Sequence, residues 1–332
     1  MRQLMKLQAF IRAVLKKKRY NEFLKESAES RVAISEEHFS REEVLETLGN
    51  KRIPIALIAK ICKDHSIVAL DHRIYVYLCS GAVYNGTWFH GLRHGEGSIT
   101  WPDGTCYSGI WSFGQASKYG KLTFKNGDIY EGQWAASRMS GYGVFRYADG
   151  TVYRGLWHQG RMHGKGLECW ATGAQYLGDY EKGVKEGEGT FHWADGSRYY
   201  GEWVSEEMDG LGMIEWKDGR HYIGQWKAGN RSGYGRYTWC DGKKYEGQYL
   251  NDKRHGYGEY ELPDGRIYCG GYRDDKQHGF ASYTVVSKVQ GKDQAKVMYG
   301  EWDNGKRLCW FKVDHRYPIK PQLQAIVAGR RK

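Results

Sequence analysis

The sequence predicts a mainly β chain: an elongated, single-layer antiparallel β-meander of short repeats, preceded by an α-helical N-terminal region. Three observations carry this reading. A tyrosine recurs every 23 residues, at Tyr84, Tyr107, Tyr130, Tyr153, Tyr176, Tyr199, Tyr222, Tyr245 and Tyr268. Glycine follows each tyrosine two residues later and an aromatic four residues later, as in Gly86 and Trp88. Most units then close on Asp-Gly or Asn-Gly, from Asp103-Gly104 to Asp264-Gly265. Self-similarity at one short period marks a repeat architecture and takes precedence over any other reading of the chain.

Each unit reads as two strands. In Tyr-x-Gly-x-Trp the marked residues alternate with period two, so they share one face of a strand. The residues between them are mostly polar, such as Glu131 and Gln133. The second run begins Gly-x-Gly and continues with apolar residues at alternate positions, as in Gly95, Gly97, Ile99 and Trp101. Asp-Gly between alternating runs is a hairpin signal, because both residues tolerate positive φ. Glycine normally weakens a strand interior. Beside large rings it leaves room for a neighbouring ring. The expected core is therefore an aromatic row along one face, with Tyr84, Gly86, Trp88, Trp111, Trp134, Trp157, Trp203 and Trp226 as its markers. Twelve of the thirteen tryptophans fall between Trp88 and Trp302.

Y-x-G-x-W, then H-G-x-G, then a D-G turn at a period of 23 resembles the MORN repeat (membrane occupation and recognition nexus). The resemblance covers nine consecutive units. The second departs from the pattern, with Lys118 in place of the first glycine of its Gly-x-Gly pair. A last half-unit, Met298, Gly300 and Trp302, stands 30 residues after Tyr268, so seven residues are inserted, placed by their polarity in 287–296.

A chain of 332 residues ordinarily suggests two domains, but the repeat makes residues 73–302 one array. At about 4.8 Å per strand, nine units imply a rod on the order of 90 Å long. A mean hydropathy of −0.72 with 45 glycines would alone suggest disorder; 15% aromatic content in strict register argues for order. The seven cysteines form no C-x-x-C pair, which reads as reduced thiols in a cytoplasmic protein. No apolar run approaches a membrane span, and Arg12 interrupts any signal-peptide core.

The net charge of +11 sits at the ends. Residues 1–25 carry +7 and residues 303–332 carry +6, leaving −2 for the remainder. The ends therefore seek acidic partners, such as the acidic tubulin surface or anionic lipid. No nucleic-acid partner is expected.

In chain order, residues 1–25 read as a basic amphipathic helix with Leu4, Leu7, Ile11 and Val14 at helical spacing. Leu7, Gln8, Ile11, Arg12 and Lys17 also resemble an IQ motif, which implies calmodulin or another EF-hand light chain as partner. Leu7 and Ala13 depart from the usual isoleucine and glycine. The alternative is a plain basic helix that docks on a filament or on the chain's own array, and both readings stay open. Residues 26–72 read as a helical cap region. Ser40 to Glu43 is a capping box, Gly49 a stop, and Pro54 opens a second helix, Ile55 to Cys62. Its apolar residues are expected to cover the first edge of the sheet, as terminal caps of repeat arrays do. Arg73 to Leu78 reads as a lone strand entering the array. After Trp302, Leu308 to Val313 can end the sheet, and Pro318, Pro321 and the final basic residues read as an extended arm.

No catalytic, cofactor-binding or metal-ligating set is expected. His94, His163, His255 and His278 share one repeat position, but whole repeats, roughly 10 Å, separate them, too far for shared coordination. MORN repeats also occur fused to a lipid kinase or a methyltransferase domain, and this chain has the motifs of neither. The resemblance implies a structural scaffold for axonemal or cytoskeletal proteins in a cilium or flagellum, including radial-spoke and doublet-microtubule settings. A peripheral membrane tether is the second reading.

Overall fold

The computed structural model describes residues 74–77, 81–89, 92–289 and 292–313. The expected basic helix with Leu7, Gln8, Ile11, Arg12 and Lys17, the expected cap over residues 26–72 and the part of the expected C-terminal arm beyond residue 313 lie outside the described residues. Among the described residues every regular element is a strand. The chain forms two compact units, divided between Gly187 and Glu188. Unit 1 holds β1 (Ile74–Tyr77), β2 (Val83–Phe89), β3 (Leu92–Thr100), β4 (Cys106–Ser112), β5 (Gln115–Thr123), β6 (Ile129–Ala135), β7 (Arg138–Arg146), β8 (Val152–His158), β9 (Arg161–Cys169) and β10 (Gln175–Glu181). The division falls inside β11 (Val184–His192). Unit 2 holds β12 (Arg198–Val204), β13 (Glu207–Glu215), β14 (His221–Lys227), β15 (Asn230–Thr238), β16 (Lys244–Leu250), β17 (Lys253–Glu261), β18 (Ile267–Arg273), β19 (Lys276–Val289), β20 (Lys292–Asp303) and β21 (Lys306–Trp310). Within each unit every strand pairs antiparallel with its neighbours in sequence, an open meander, as the period-two runs predict.

The repeat's glycines and tyrosines explain each other. In most hairpins two glycines face across the pair, as Gly132 and Gly143 do, while in β18–β19 Gly270 faces Ala281. A Cβ on Gly132 would lie 2.4 Å from the Gly143 Cα, and one on Gly143 would lie 2.5 Å from the Tyr130 ring. The tyrosine therefore lies flat over the glycine pair. All nine repeat tyrosines are at most 2% exposed.

Beyond the glycine pair the register shifts, with one residue on the first strand facing three on the second. Such a bulge leaves backbone groups without ladder partners. The tyrosine hydroxyl meets this need, donating to the carbonyl three residues on: Tyr130 to Gln133 at 2.8 Å, Tyr222 to Gln225 at 2.9 Å. On the other face the Gln133 side chain accepts the Tyr142 N–H at 2.7 Å, and Gln225 accepts that of Tyr234 at 2.7 Å.

The first glycine of Gly-x-Gly has a different role from the one its spacing suggests. Gly164 has φ +63°, and its Cβ would point at Leu156, on the face opposite Trp157. It serves the bulge, not the rings. Lys118 holds this position at φ 58° without glycine's freedom. A left-handed L-residue costs about 1–2 kcal/mol, while an added glycine costs some of that back in the unfolded chain. Lys118→Gly should therefore raise the stability of unit 1 by about 1 kcal/mol, read as a shift in urea midpoint at constant slope.

The rings interlock edge to face. In unit 1 the order is Trp88, Tyr84, Trp111, Tyr107, Trp134, Tyr130, Trp157, Tyr153, Tyr180 and Tyr176, with centroids 5.1–5.5 Å apart. In unit 2 it runs Trp203, Tyr199, Trp226, Tyr222, Tyr249, Tyr245, Tyr272, Tyr268, Trp302 and Trp310. Each such pair adds roughly 0.5–1.5 kcal/mol beyond area burial. Basic side chains close the row from above: the Arg93 guanidinium lies 4.1 Å from the Trp111 ring, and that of Arg231 lies 5.4 Å from both Tyr237 and Tyr249.

The two edges of the sheet use different turns. At the Asp-Gly edge the chain makes a three-residue connection. Gly104 N–H donates to Trp101 O, Trp101 N–H donates to Thr105 O, and only the glycine has positive φ, +91°. Aspartate is there for its carboxylate, since Asp103 Oδ1 accepts the Thr105 N–H at 2.9 Å. Two-residue turns with positive φ at both positions lie at the other edge, as in Phe113-Gly114 and Asn251-Asp252. Each ties to the preceding repeat, for example Ser137 N–H to Ala116 O at 2.9 Å.

The seven-residue insertion lengthens a hairpin. β19 and β20 pair from Gly279 with Trp302 through to Val289 with Lys292, five pairs further than other hairpins reach. Val285, Val286 and Val289 keep the stretch compatible with a strand.

Candidate functional site: a half-buried aromatic row

Of the expected site residues, the repeat markers form the core. Tyr84 is 0% exposed, Trp111 4%, Trp134 8%, Trp157 7%, and Trp203 and Trp226 6% each. Gly86 lies under the Tyr84 hydroxyl. Trp88 is only half-buried, and among the described residues its ring neighbour is Tyr84. These groups hold the array together and leave little surface for a partner.

A second row offers that surface. The residue that opens each turn on the Asp-Gly edge is a large ring in most repeats: Trp101, Phe124, Tyr147 and Trp170 in unit 1, the second and fourth before Asn126-Gly127 and Thr172-Gly173, then Trp193, Trp216 and Trp239 in unit 2. All are half-buried. The backbone of each is fixed by the turn, as Trp216 N–H donates to Arg220 O at 2.9 Å. In unit 2 the rings run on as Trp216, Tyr237, Trp239 and Tyr260 at 5.4, 4.4 and 5.6 Å. In unit 1 Phe124, Phe145 and Tyr147 stand 5.8 and 4.5 Å apart.

Carboxylates rim the row. Asp103, Asp149, Asp195, Asp218 and Asp264 each accept a backbone N–H two residues on, which holds their carboxyls below the usual range. For Asp241 the Lys243 side chain is the first cause, and the Lys243 N–H adds to it. These hydrogen bonds favour the ionised form of each carboxyl, and Lys243 neutralises Asp241 at 2.6 Å. Asp218 and Asp264 also pair with Arg220 and Arg266 at 2.6 and 2.7 Å. Fixed aromatic faces beside carboxylates suit a segment that brings apolar and cationic side chains together.

The opposite face pairs with itself. Tyr119 donates to Glu131 at 3.1 Å, Tyr234 to Glu246 at 3.1 Å, Arg236 Nε to Glu246 at 2.7 Å, and Lys165 to Asp179 at 2.8 Å. The histidines lie at the two-residue-turn edge, and His94, His255 and His278 are set against the following turn. His94 Nδ1 accepts the Phe113 N–H at 3.4 Å, and His278 Nδ1 stands 3.2 Å from Asp303. Among the described residues no three potential metal ligands converge.

An open antiparallel meander with one ring-packed face and no converging reactive side chains among the described residues defines a repeat scaffold. The MORN repeat model matches residues 84–106, 107–129, 130–152, 153–175, 176–198, 199–219, 222–244, 245–265 and 268–284, and the chain belongs to that family. Comparison with curated proteins gave no match. Among solved structures, the TCP10 domain of Danio rerio CPAP is similar at 11% identity and a TM-score of 0.35, covering 60% of this chain and 94% of that one. The SAS-4 (dCPAP) TCP domain of Drosophila melanogaster, in complex with a proline-rich motif of Ana2 (dSTIL), is similar at 14% identity and a TM-score of 0.29, covering 62% and 94%.

Proposed function

We propose that the chain is a non-enzymatic scaffold that holds a segment of a partner along the half-buried aromatic row, and that its setting is the ciliary or flagellar axoneme. The observation behind the first part is the run of rings Trp216, Tyr237, Trp239 and Tyr260, in which the buried Tyr237 backs the half-buried Trp216, Trp239 and Tyr260, on a sheet whose other face pairs with itself. Side chains held in place by the backbone bind at little entropic cost. The partner segment that fits is amphipathic. The axonemal setting rests on the resemblance to soluble MORN proteins of radial spokes and other axonemal parts. The basic ends, +7 over residues 1–25 and +6 over residues 303–332, serve as anchors on acidic surfaces such as tubulin. The IQ-like stretch with Leu7, Gln8, Ile11, Arg12 and Lys17 recruits calmodulin or an EF-hand light chain.

The same charge division favours a second reading, a peripheral tether on anionic phospholipid through the basic ends. Co-sedimentation of the full-length protein separates the two. The axonemal reading expects it to pellet with demembranated axonemes and to stay in solution with phosphatidylserine vesicles. Pelleting with vesicles alone would overturn it in favour of the tether.

A further inference from the structure

One corner of unit 1 is built unlike its equivalents. Phe113, the first residue of a two-residue turn, has φ 47° and is 60% exposed. The same position in the following repeats holds Ala136, Gln159, Lys182, Ser205, Ala228, Asn251 and Asp274. A bulky residue at positive φ is disfavoured, and an exposed phenyl ring gains nothing from water. Beside it stand Leu92, 44% exposed, and the rings of Phe89 and His94, 6.1 and 5.0 Å from the Phe113 ring. Strain and exposed apolar surface thus coincide at one corner.

The course of the chain indicates what meets this corner. β1 pairs with β2 so that Ile74 faces Gly86 and Tyr77 faces Val83. The chain upstream of Ile74 therefore comes from the Phe89 end of β2, the edge on which the corner lies. Upstream lies Ile55 to Cys62, with Ile55, Leu57, Ile58 and Ile61 in eight residues. The intervening stretch from 63 to 73 spans up to roughly 35 Å when extended, ample to return to the corner. We infer that the apolar segment Ile55–Cys62 of the same chain docks on the Phe89, Leu92 and Phe113 corner and closes the first repeat from its turn edge. The corner, rather than the backbone edge of β1, is then the seat of the cap, and Phe113 is retained in a strained turn because the cap covers it.

Hydrogen exchange of the full-length protein, read by mass spectrometry, tests this. Phe113→Asn keeps a residue that accepts the left-handed turn and removes the ring; it is combined with Leu92→Asp. The wild type should protect amides 55–62, and the double variant should lose that protection at least about tenfold while amides 130–180 exchange as before. Amides 55–62 that exchange in the wild type at the rate of an unstructured peptide would overturn the inference, as would protection that survives the double variant. Sedimentation velocity on both proteins covers the other occupant. A wild-type dimer that the variant dissociates, with exchange at 55–62 unchanged, would assign the corner to a second copy of the chain and also overturn it.

Discussion

Gly155→Val should cost about 3 kcal/mol or more, among the largest losses available to a single substitution in this chain. A Cβ at Gly155 would lie 2.6 Å from the Gly166 Cα, 2.6 Å from the Tyr153 hydroxyl and 2.7 Å from the Lys165 carbonyl oxygen. Two of these are backbone atoms of the paired strand and cannot swing aside. The hairpin must part, and the Tyr153 ring must leave its seat over the glycine pair, losing its hydrogen bond to Leu156 O. Gly173→Ala is the control. Gly173 has φ +89° and open space around its missing side chain, so only the backbone penalty of about 1–2 kcal/mol applies. Urea unfolding of both variants reads the difference. Equal losses would mean that glycine is required for chain conformation alone.

Tyr222→Ala should cost about 3–5 kcal/mol, as truncation of a buried large ring does. Tyr222 is 0% exposed and meets Trp226 and Tyr249 edge to face, each at 5.3 Å. Tyr222→Phe separates the ring from its hydroxyl. It keeps the packing and leaves the Gln225 carbonyl in the bulge without its donor, at a cost of about 1–3 kcal/mol. Because each repeat contacts only its neighbours, faster hydrogen exchange should centre on residues 199–260 and leave residues 84–135 unchanged.

Much of this was legible in the residues. The 23-residue period, the shared face of Tyr, Gly and Trp, the entering strand and the two-strand unit all follow from spacing, because a ring that needs a glycine under it leaves both in the sequence. The turns were less legible. Asp-Gly suggested a tight two-residue turn, but Asp103 is selected for the N–H its carboxylate accepts. The two-residue turns fall on pairs as unlike as Phe113-Gly114, Ala136-Ser137 and Asn251-Asp252. Pairing on both sides imposes positive φ there, so composition carries no signal. The first glycine of Gly-x-Gly looked like a ring-facing residue because alternation puts it there, and the bulge reverses its direction. The polarity of 287–296 places the insertion there but does not announce the strand pairing that runs on to Val289 and Lys292. The aromatic row was hidden for another reason. Trp111 and Trp216 are alike in type, and burial distinguishes the core ring from the half-open one.

Which face of the sheet meets a partner is the central claim, and a comparison of two double variants of the full-length protein addresses it. Trp216→Ser with Trp239→Ser strips the aromatic row. Tyr234→Ser with Tyr257→Ser strips the opposite face of neighbouring strands. Thermal melts first establish that both fold. Co-sedimentation with demembranated axonemes then gives an affinity for each. Anchoring aromatics contribute about 1–2 kcal/mol or more apiece, so the row variant should bind at least about tenfold more weakly than wild type, while the opposite-face variant binds as wild type does. Undiminished binding by the row variant, or an equal loss in both, would contradict the assignment of the row as the partner surface.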